Sequence, residues 1–260
     1  MSVSILSISN NMSKLLIDLG NTRIKTAIYK NQIIQEIKSY DYSNLTNFFE
    51  YLEQVTNNSY KALISNVKEK KFLKMVLNFL EKKKIKLKII KPNILSCGLS
   101  NLYNNPKDLG SDRWCAAIGA YSLKKNSNLM IVHLGTTVVI DIVDENGSFQ
   151  GGTIAPGYRL LFDALKIGTN NLNEIDDGQY EFPAKGTKNS VFTGIINSIY
   201  GQINIAYEIF QNTQNSKTEV ILTGGDAYRI KEQFNLDFLI IEDLIFIGML
   251  EIDKEVKLRD

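Results

Sequence analysis

The sequence predicts an α/β chain built as two similar lobes, and three observations carry that expectation. Residues 15–25, Leu-Leu-Ile-Asp-Leu-Gly-Asn-Thr-Arg-Ile-Lys, read as a buried strand, a tight glycine turn and a returning strand. Residues 129–143 echo that pattern, so that His133-Leu134-Gly135-Thr136-Thr137 falls on Asp18-Leu19-Gly20-Asn21-Thr22. Between the two hairpins, helical and strand-like periodicities alternate. Two glycine-turn hairpins facing each other would grip a polyphosphate from both sides.

Taken in order, Leu15–Ile17 is a core strand running into Asp18, and 22–29 returns with Ile24, Ala27 and Ile28 apolar. Residues 32–37 continue as a strand, and 42–55 has helical spacing through Leu45, Phe48, Phe49, Leu52 and Val55. A strand over 61–67, a helix over 72–82 and a strand over 85–90 complete the first lobe. Residues 92–110 read as loop, followed by a helical pattern through Ala116, Ala117, Ala120 and Leu123. After the second hairpin, Asp144-Glu145-Asn146-Gly147 is a further turn. Gly151-Gly152 and Pro156-Gly157 then lead into a helix from about Tyr158. The stretch 168–190 is polar and loop-rich, and a long helix spans about 190–210. A strand over 219–222 ends in Thr223-Gly224-Gly225-Asp226, and a strand at 238–241 and a helix at 245–251 close the chain. The implied division is an N-terminal extension over 1–13, one lobe over 14–122 and the other over 123–260.

The totals bound the function class. With 260 residues, 44% apolar, the chain can bury one large core or two smaller ones. A net charge of +2 is too even for a nucleic-acid binder, and Lys82-Lys83-Lys84 reads as a solvated face. Cys97 and Cys115 form no CxxC or Cys/His cluster, which argues against a disulfide framework or a zinc site and fits a reduced cytoplasm. No apolar run approaches the length of a membrane span, and residues 1–11 lack the features of a signal peptide. Met12 is as good a start as Met1.

The chemistry concentrates in two places. Asp18 ends a core strand, where a carboxylate needs a metal or an ordered water as partner. Gly20 lets a ligand approach the backbone, and the amides and side chains of Asn21 and Thr22 suit phosphate oxygens. Gly110-Ser111-Asp112-Arg113 sits at a loop-to-helix junction, where Asp112 is either an ordinary capping residue or an acid within reach of a substrate.

In combination, Asp18-Leu19-Gly20-Asn21-Thr22, Gly110-Ser111-Asp112-Arg113, Gly135-Thr136, Gly151-Gly152 with Pro156-Gly157, and Thr223-Gly224-Gly225-Asp226 resemble the type III pantothenate kinase family, in its motif order and from Lys14 to Ile252. The resemblance implies two lobes of the acetate/sugar kinase–Hsp70–actin (ribonuclease H-like) architecture around an ATP cleft. It implies transfer of the ATP γ-phosphoryl group to the 4′-hydroxyl of pantothenate, the first step toward coenzyme A. Asp18, Leu19, Gly20, Asn21, Thr22, Arg23, Ile24 and Lys25 would form the ATP-side loop, with Asp18 on magnesium directly or through water and Thr136 a further ATP contact. Asp112 would be the general base. Tyr103, Gly110, Ser111, Asp112, Arg113 and Thr187 would bind pantothenate. The family also implies a monovalent cation, potassium or ammonium, and a homodimer whose substrate pocket the partner subunit completes, with no nucleic acid or membrane partner. His133 stands where the family has the cation-binding aspartate, and Val138 and Val139 stand where it tends to have threonines. A neutral imidazole is a poor ligand for an alkali cation. Two other readings stay open: another small-molecule kinase or phosphatase of the superfamily, or a catalytically weak accessory relative of the same fold.

Overall fold

The computed structural model describes residues 13–169, 172, 177–233 and 238–257. The expected N-terminal extension (apart from Ser13) and residues 170, 171 and 173–176 of the loop-rich stretch lie outside them. The chain divides into two compact units. The first comprises residues up to Leu99, Tyr103–Ser122 and the segment from Asp243 onward, and the second comprises Ser100–Leu102 and Leu123–Glu242.

The first unit opens with β1 (Ser13–Leu19), β2 (Arg23–Lys30), β3 (Ile33–Asp41), α1 (Leu45–Thr56), β4 (Ser59–Asn66), α2 (Lys70–Lys82) and β5 (Lys86–Ile89). Its sheet runs β3-β2-β1-β4-β5, with β1, β2 and β3 antiparallel and β4 and β5 parallel to β1. The central strand β1 is buried along its whole length, which is why it reads as an unbroken apolar run rather than an alternating one. Phe48 and Leu52 of α1 and Phe72, Val76 and Leu80 of α2 cover one face, against Leu15, Ile17, Leu19, Ile24 and Ile64. The helix expected from Tyr42 begins only at Leu45. Asp41 Oδ1 accepts the Ser43 amide at 2.8 Å, and the Asp41 carbonyl accepts from Asn44, so a turn occupies 41–44. Tyr42 is thereby left in the turn.

Residues 92–110 hold two short strands, β6 (Leu95–Ser96) and β7 (Leu99–Asn101), and a 3₁₀ turn at Pro106–Asp108, where a loop was expected. Next comes α3 (Ser111–Leu123), buried almost all round and correspondingly apolar on every side.

The second unit holds β8 (Asn128–Leu134), β9 (Thr137–Val143), β10 (Ser148–Pro156), α4 (Tyr158–Gly168), α5 (Thr187–Gln211), β11 (Thr218–Thr223), α6 (Ala227–Gln233) and β12 (Leu239–Ile240). Its sheet runs β12-β11-β8-β9-β10-β7. Three antiparallel strands, β8 to β10, are again flanked on the far side of the first by parallel strands, β11 and β12. The order β10-β9-β8-β11-β12 matches β3-β2-β1-β4-β5, so the echo between the hairpins extends to a whole five-stranded sheet. Phe162 of α4, the α5 face of Phe192, Ile195, Ile196, Ile199 and Ile203, and Ile230 of α6 pack on Met130, Val132, Leu134, Ile140 and Leu222. The strand β10 was not expected, because Gly151, Gly152 and Pro156 all argue against one. It is accommodated by a bulge between Phe149 and Gly151, where Gly151 has φ +97°, and by the missing side chain of Gly152, whose Cβ would lie 1.9 Å from the Ile140 carbonyl oxygen.

The last helix, α7 (Leu244–Lys257), belongs to the first unit, whereas the lobe boundary read from the sequence put all of 123–260 in the second. Two glycines let α7 cross α3 at backbone contact. A Cβ on Gly248 would sit 1.8 Å from the Cys115 carbonyl oxygen, and one on Gly119 would sit 2.3 Å from that of Leu244. Farther along α7, the buried Asp253 takes Lys14 Nζ at 2.8 Å and Lys61 Nζ at 2.5 Å, from β1 and β4. Lys88 Nζ approaches it to 3.7 Å and donates to the Ile252 carbonyl at 2.7 Å. Among the described residues, no helix is long and apolar enough to cross a membrane.

Candidate active site

Asp18 sits at the C-terminal end of β1, paired across β2 with Lys25 and across β4 with Ser65. Strand alternation turns it to the same face as Lys14 and Leu16, away from α1 and α2. Its Oδ1 is buried and has no hydrogen-bond partner. Burial, and secondly the charge of Asp112, push its carboxyl up to about 7, while Ser65 and Lys25 pull the other way. Such an orphaned, electrostatically strained oxygen is one that a cation would satisfy.

Asp112 lies in the first turn of α3, where its Oδ1 accepts the Arg113 amide at 2.8 Å. Burial raises its carboxyl above the usual range, and the hydrogen bond and positive charge of Arg113 oppose that rise. Gly110 is a glycine for a visible reason: a Cβ there would lie 2.5 Å from Asp112 Oδ1 and 3.3 Å from Val67 Cγ1. Arg113 Nη1 donates to Tyr103 Oη at 3.1 Å, with the guanidinium 5.5 Å from the ring centre. Ser111 ties this helix start to β4: its Oγ lies 3.0 Å from Ser65 Oγ and accepts the Asn66 amide at 2.8 Å. Thus Ser65, beside Asp18 on the sheet, also touches the residue preceding Asp112. The first unit therefore brings Asp18, Lys25, Tyr103 and Gly110–Arg113 to one group of neighbouring elements. Leu19 and Ile24, expected in the ATP-side loop, have wholly buried side chains in the core and can offer a nucleotide only their backbone.

Magnesium fits this donor set. Two acids coupled in charge, one with an unpartnered oxygen, suit a hard cation that keeps several waters and takes its remaining ligands from phosphates. Among the described residues no group of three or more His, Cys, Asp and Glu could hold a metal by itself.

In the second unit backbone hydrogen bonds close the Gly135–Thr136 turn. Gly135 donates to the Thr137 carbonyl at 3.1 Å, the Thr136 carbonyl accepts from Gly157 at 2.9 Å, and the Leu134 carbonyl accepts from Asp226 at 3.1 Å. A Cβ on Gly157 would lie 2.0 Å from the Gly135 carbonyl oxygen, and one on Gly224, at φ +97°, 2.2 Å from that of Leu134. The Pro156-Gly157 and Thr223-Gly224-Gly225-Asp226 segments thus both press on this turn. Thr136 is exposed at its tip. His133 stands on β8 between Val139 and Thr223, its Nε2 3.5 Å from the position a Gly135 Cβ would take. A nitrogen ligand here does not fit a potassium site, which would be built from oxygens. Thr187, expected at the substrate, is the first residue of α5.

Two glycine-turn hairpins on two like-ordered sheets place the chain among the actin–Hsp70–sugar kinase class of ATPase folds. A solved structure of MreB 5 from Spiroplasma citri, bound to AMPPNP, superposes with a TM-score of 0.51 at 10% identity, covering 95% of this chain and 98% of that one. A Baf family protein from Campylobacter jejuni superposes better, with a TM-score of 0.60 at 22% identity over 94% and 99% of the two chains. Within that class, the type III pantothenate kinase family model matches residues 14–208, and the chain belongs to that family. A type III pantothenate kinase of Nitrosospira multiformis is 28% identical over 244 residues, covering 93% of this chain and 91% of the relative.

Proposed function

We propose that the chain phosphorylates pantothenate at its 4′-hydroxyl with ATP, giving 4′-phosphopantothenate for coenzyme A synthesis in the cytoplasm. The observation that carries this reading is the buried Asp18 beside the half-buried Asp112, whose charge raises the Asp18 carboxyl, with Ser65 and Ser111 joining the two segments. Phosphoryl transfer asks little covalent chemistry of a protein; it needs positioned phosphates, charge neutralisation and an acceptor for the hydroxyl proton.

Asp18 would hold magnesium, directly or through water, and the metal would neutralise charge on the ATP phosphates. The Asn21 and Thr22 amides, Lys25 and Thr136 would meet phosphate oxygens. Arg113 would fork onto the pantothenate carboxylate, with Tyr103 orienting it. Asp112 would accept the proton of the 4′-hydroxyl as the new O–P bond forms. Its carboxylate needs alignment more than basicity, because in a loose transition state that proton leaves late. The working form would be a homodimer in which the partner subunit completes the pantothenate pocket, with Thr187 a substrate contact.

The test is a coupled ADP-release assay with pantothenate, run against a panel of sugars and acetate. Pantothenate should be the acceptor by a wide margin. Asp112→Asn should lose at least about a hundredfold in kcat with its melting temperature preserved. Parental turnover in that variant would show that another group takes the proton. Turnover of a sugar in place of pantothenate would reassign the substrate.

A further inference from the structure

We propose that Tyr42 and Lys68 are positioning residues that fix which groups of the Gly20–Thr22 turn face a phosphate; this deepens the kinase reading above and rests on it for the identity of the ligand. The turn is short. Gly20 donates to the Arg23 carbonyl at 3.1 Å and Leu19 pairs with Ile24, leaving only Asn21 and Thr22 at the tip. Two-residue hairpin loops normally close as type I′ or II′ turns, with positive φ at one or both tip residues. Neither Asn21 nor Thr22 has a positive φ. The loop therefore lacks the local geometry that usually holds such a hairpin closed.

The restraint comes from outside. Tyr42 Oη donates to the Gly20 carbonyl at 2.7 Å, and Lys68 Nζ donates to the Asn21 carbonyl at 2.8 Å. The two donors brace each other, because the ammonium lies over the Tyr42 ring, 4.5 Å from its centre. Phe72, buried at the start of α2, packs edge-to-face with Tyr42, the ring centres 4.8 Å apart at 82°. The backbone of Lys68 is itself held, since Asn66 Nδ2 donates to its carbonyl at 3.0 Å. Burial, and secondly the Asp18 carboxylate, raise the Tyr42 phenol well above its ordinary range, so it remains a donor.

The consequence follows from peptide planarity. In a trans peptide the C=O and the following N–H point in opposite directions. With the Gly20 oxygen turned to Tyr42 and the Asn21 oxygen turned to Lys68, the amides of Asn21 and Thr22 point the other way. Rotation of either plane would swap a donor for a carbonyl oxygen on the side that is to meet an anion. Both side chains lie outside the Asp18–Lys25 segment, on connections that follow β3 and β4. Lys68 also brings a positive charge to the turn. The Gly135–Thr136 turn obtains the equivalent restraint from backbone amides, those of Gly157 and Asp226.

The test uses Tyr42→Phe, Lys68→Met and Lys68→Arg in the full chain, with two readouts: steady-state kinetics against Mg–ATP and against pantothenate, and calorimetric titration with Mg–ADP. Loss of one hydrogen bond should raise the KM for ATP and weaken ADP binding about threefold to tenfold in Tyr42→Phe and Lys68→Met. The KM for pantothenate should stay within about twofold and the melting temperature within about 2 °C, while Lys68→Arg should recover most of the loss. ATP KM and ADP affinity both unchanged would overturn the proposal. So would equal rises in both KM values with a lowered melting temperature, which is what general bracing of the fold produces. A parent that binds Mg–ADP but leaves pantothenate untouched would refute the kinase reading, and the ADP titrations would still decide the roles of Tyr42 and Lys68. A parent that binds no Mg–ADP would overturn both.

Discussion

Asp18→Asn separates stability from function at one oxygen. Burial and Asp112 lift the Asp18 carboxyl from 3.8 to about 7. That rise corresponds to about 4 kcal/mol of preference for the neutral form in the folded chain. The folded state therefore binds more protons than the unfolded one between these two values, so stability falls as pH rises from about 4 to about 7 and is flat above. At pH 8 without divalent cations the parent bears nearly the whole cost, whereas an isosteric amide bears none of it. Some relaxation around the charge is expected, so Asp18→Asn should be about 2–4 kcal/mol more stable than the parent at pH 8, with the advantage cut to about 1 kcal/mol at pH 5 and gone below about pH 4. For a chain of this size that is a rise in melting temperature of roughly 5–12 °C at the higher pH. Thermal denaturation at both pH values, with and without magnesium, is the assay. Magnesium should stabilise the parent by mass action and leave the variant unmoved. Turnover should be lost in the variant. A variant no more stable than the parent at pH 8, or one whose advantage is the same at pH 5, would refute the view that Asp18 is held charged at the fold's expense.

Three further perturbations address the scaffold and the second hairpin. Gly248→Ala should destabilise the chain by about 3 kcal/mol in urea unfolding, because its methyl meets the Cys115 carbonyl oxygen at 1.8 Å and only separation of α3 from α7 can relieve it. Asp253→Ala leaves Lys14 and Lys61 partly buried around no anion and should cost about 3–5 kcal/mol in the same measurement. The Asp253 carboxyl is held below its ordinary range by the two lysines against the opposing effect of burial, so the stability it contributes should be present at neutral pH and lost as pH falls below about 4. At His133 a protonated imidazole would place positive charge beside the Gly135–Thr136 turn. Turnover should then proceed without added potassium or ammonium, and His133→Asp should make the rate potassium-dependent. A strict potassium requirement in the parent would exclude that role.

The fold was legible wherever burial leaves a one-dimensional trace. Leu15–Leu19 lies in a sheet covered on both faces, so its apolar run is continuous, and α2 shows one apolar stripe because only one face packs. What did not show were elements that violate local propensity for a tertiary reason. β10 carries Gly152 because the Ile140 carbonyl, 12 residues upstream, leaves no room for a side chain, and Gly151 because the bulge holds it at φ +97°. The membership of α7 in the first unit depends on two glycine–backbone contacts with α3, and nothing in 123–260 alone announces them. Tyr42 fitted the helical spacing of α1, yet the Asp41 turn removed it from the helix.

The site divides along the same line. Asp18 stood out in the sequence because a carboxylate ends a core strand, and Gly110 and Asp112 because they mark a loop-to-helix junction, although an acid in a first helical turn is ordinary by itself. Their supports were invisible because each is locally ordinary. Ser65 is one hydroxyl at a strand end, and its significance lies in its partners, Asp18 on β1 and Ser111 at distance 46 in sequence. Tyr42 and Lys68 likewise read as a turn aromatic and a solvated lysine until both are found on the carbonyls of one turn. Motifs record the residues that would meet the ligand. The residues that aim those groups can be drawn from any element the fold brings near, and here they come from the connections after β3 and β4. Substitutions there should therefore change affinity for the nucleotide while every motif residue remains in place.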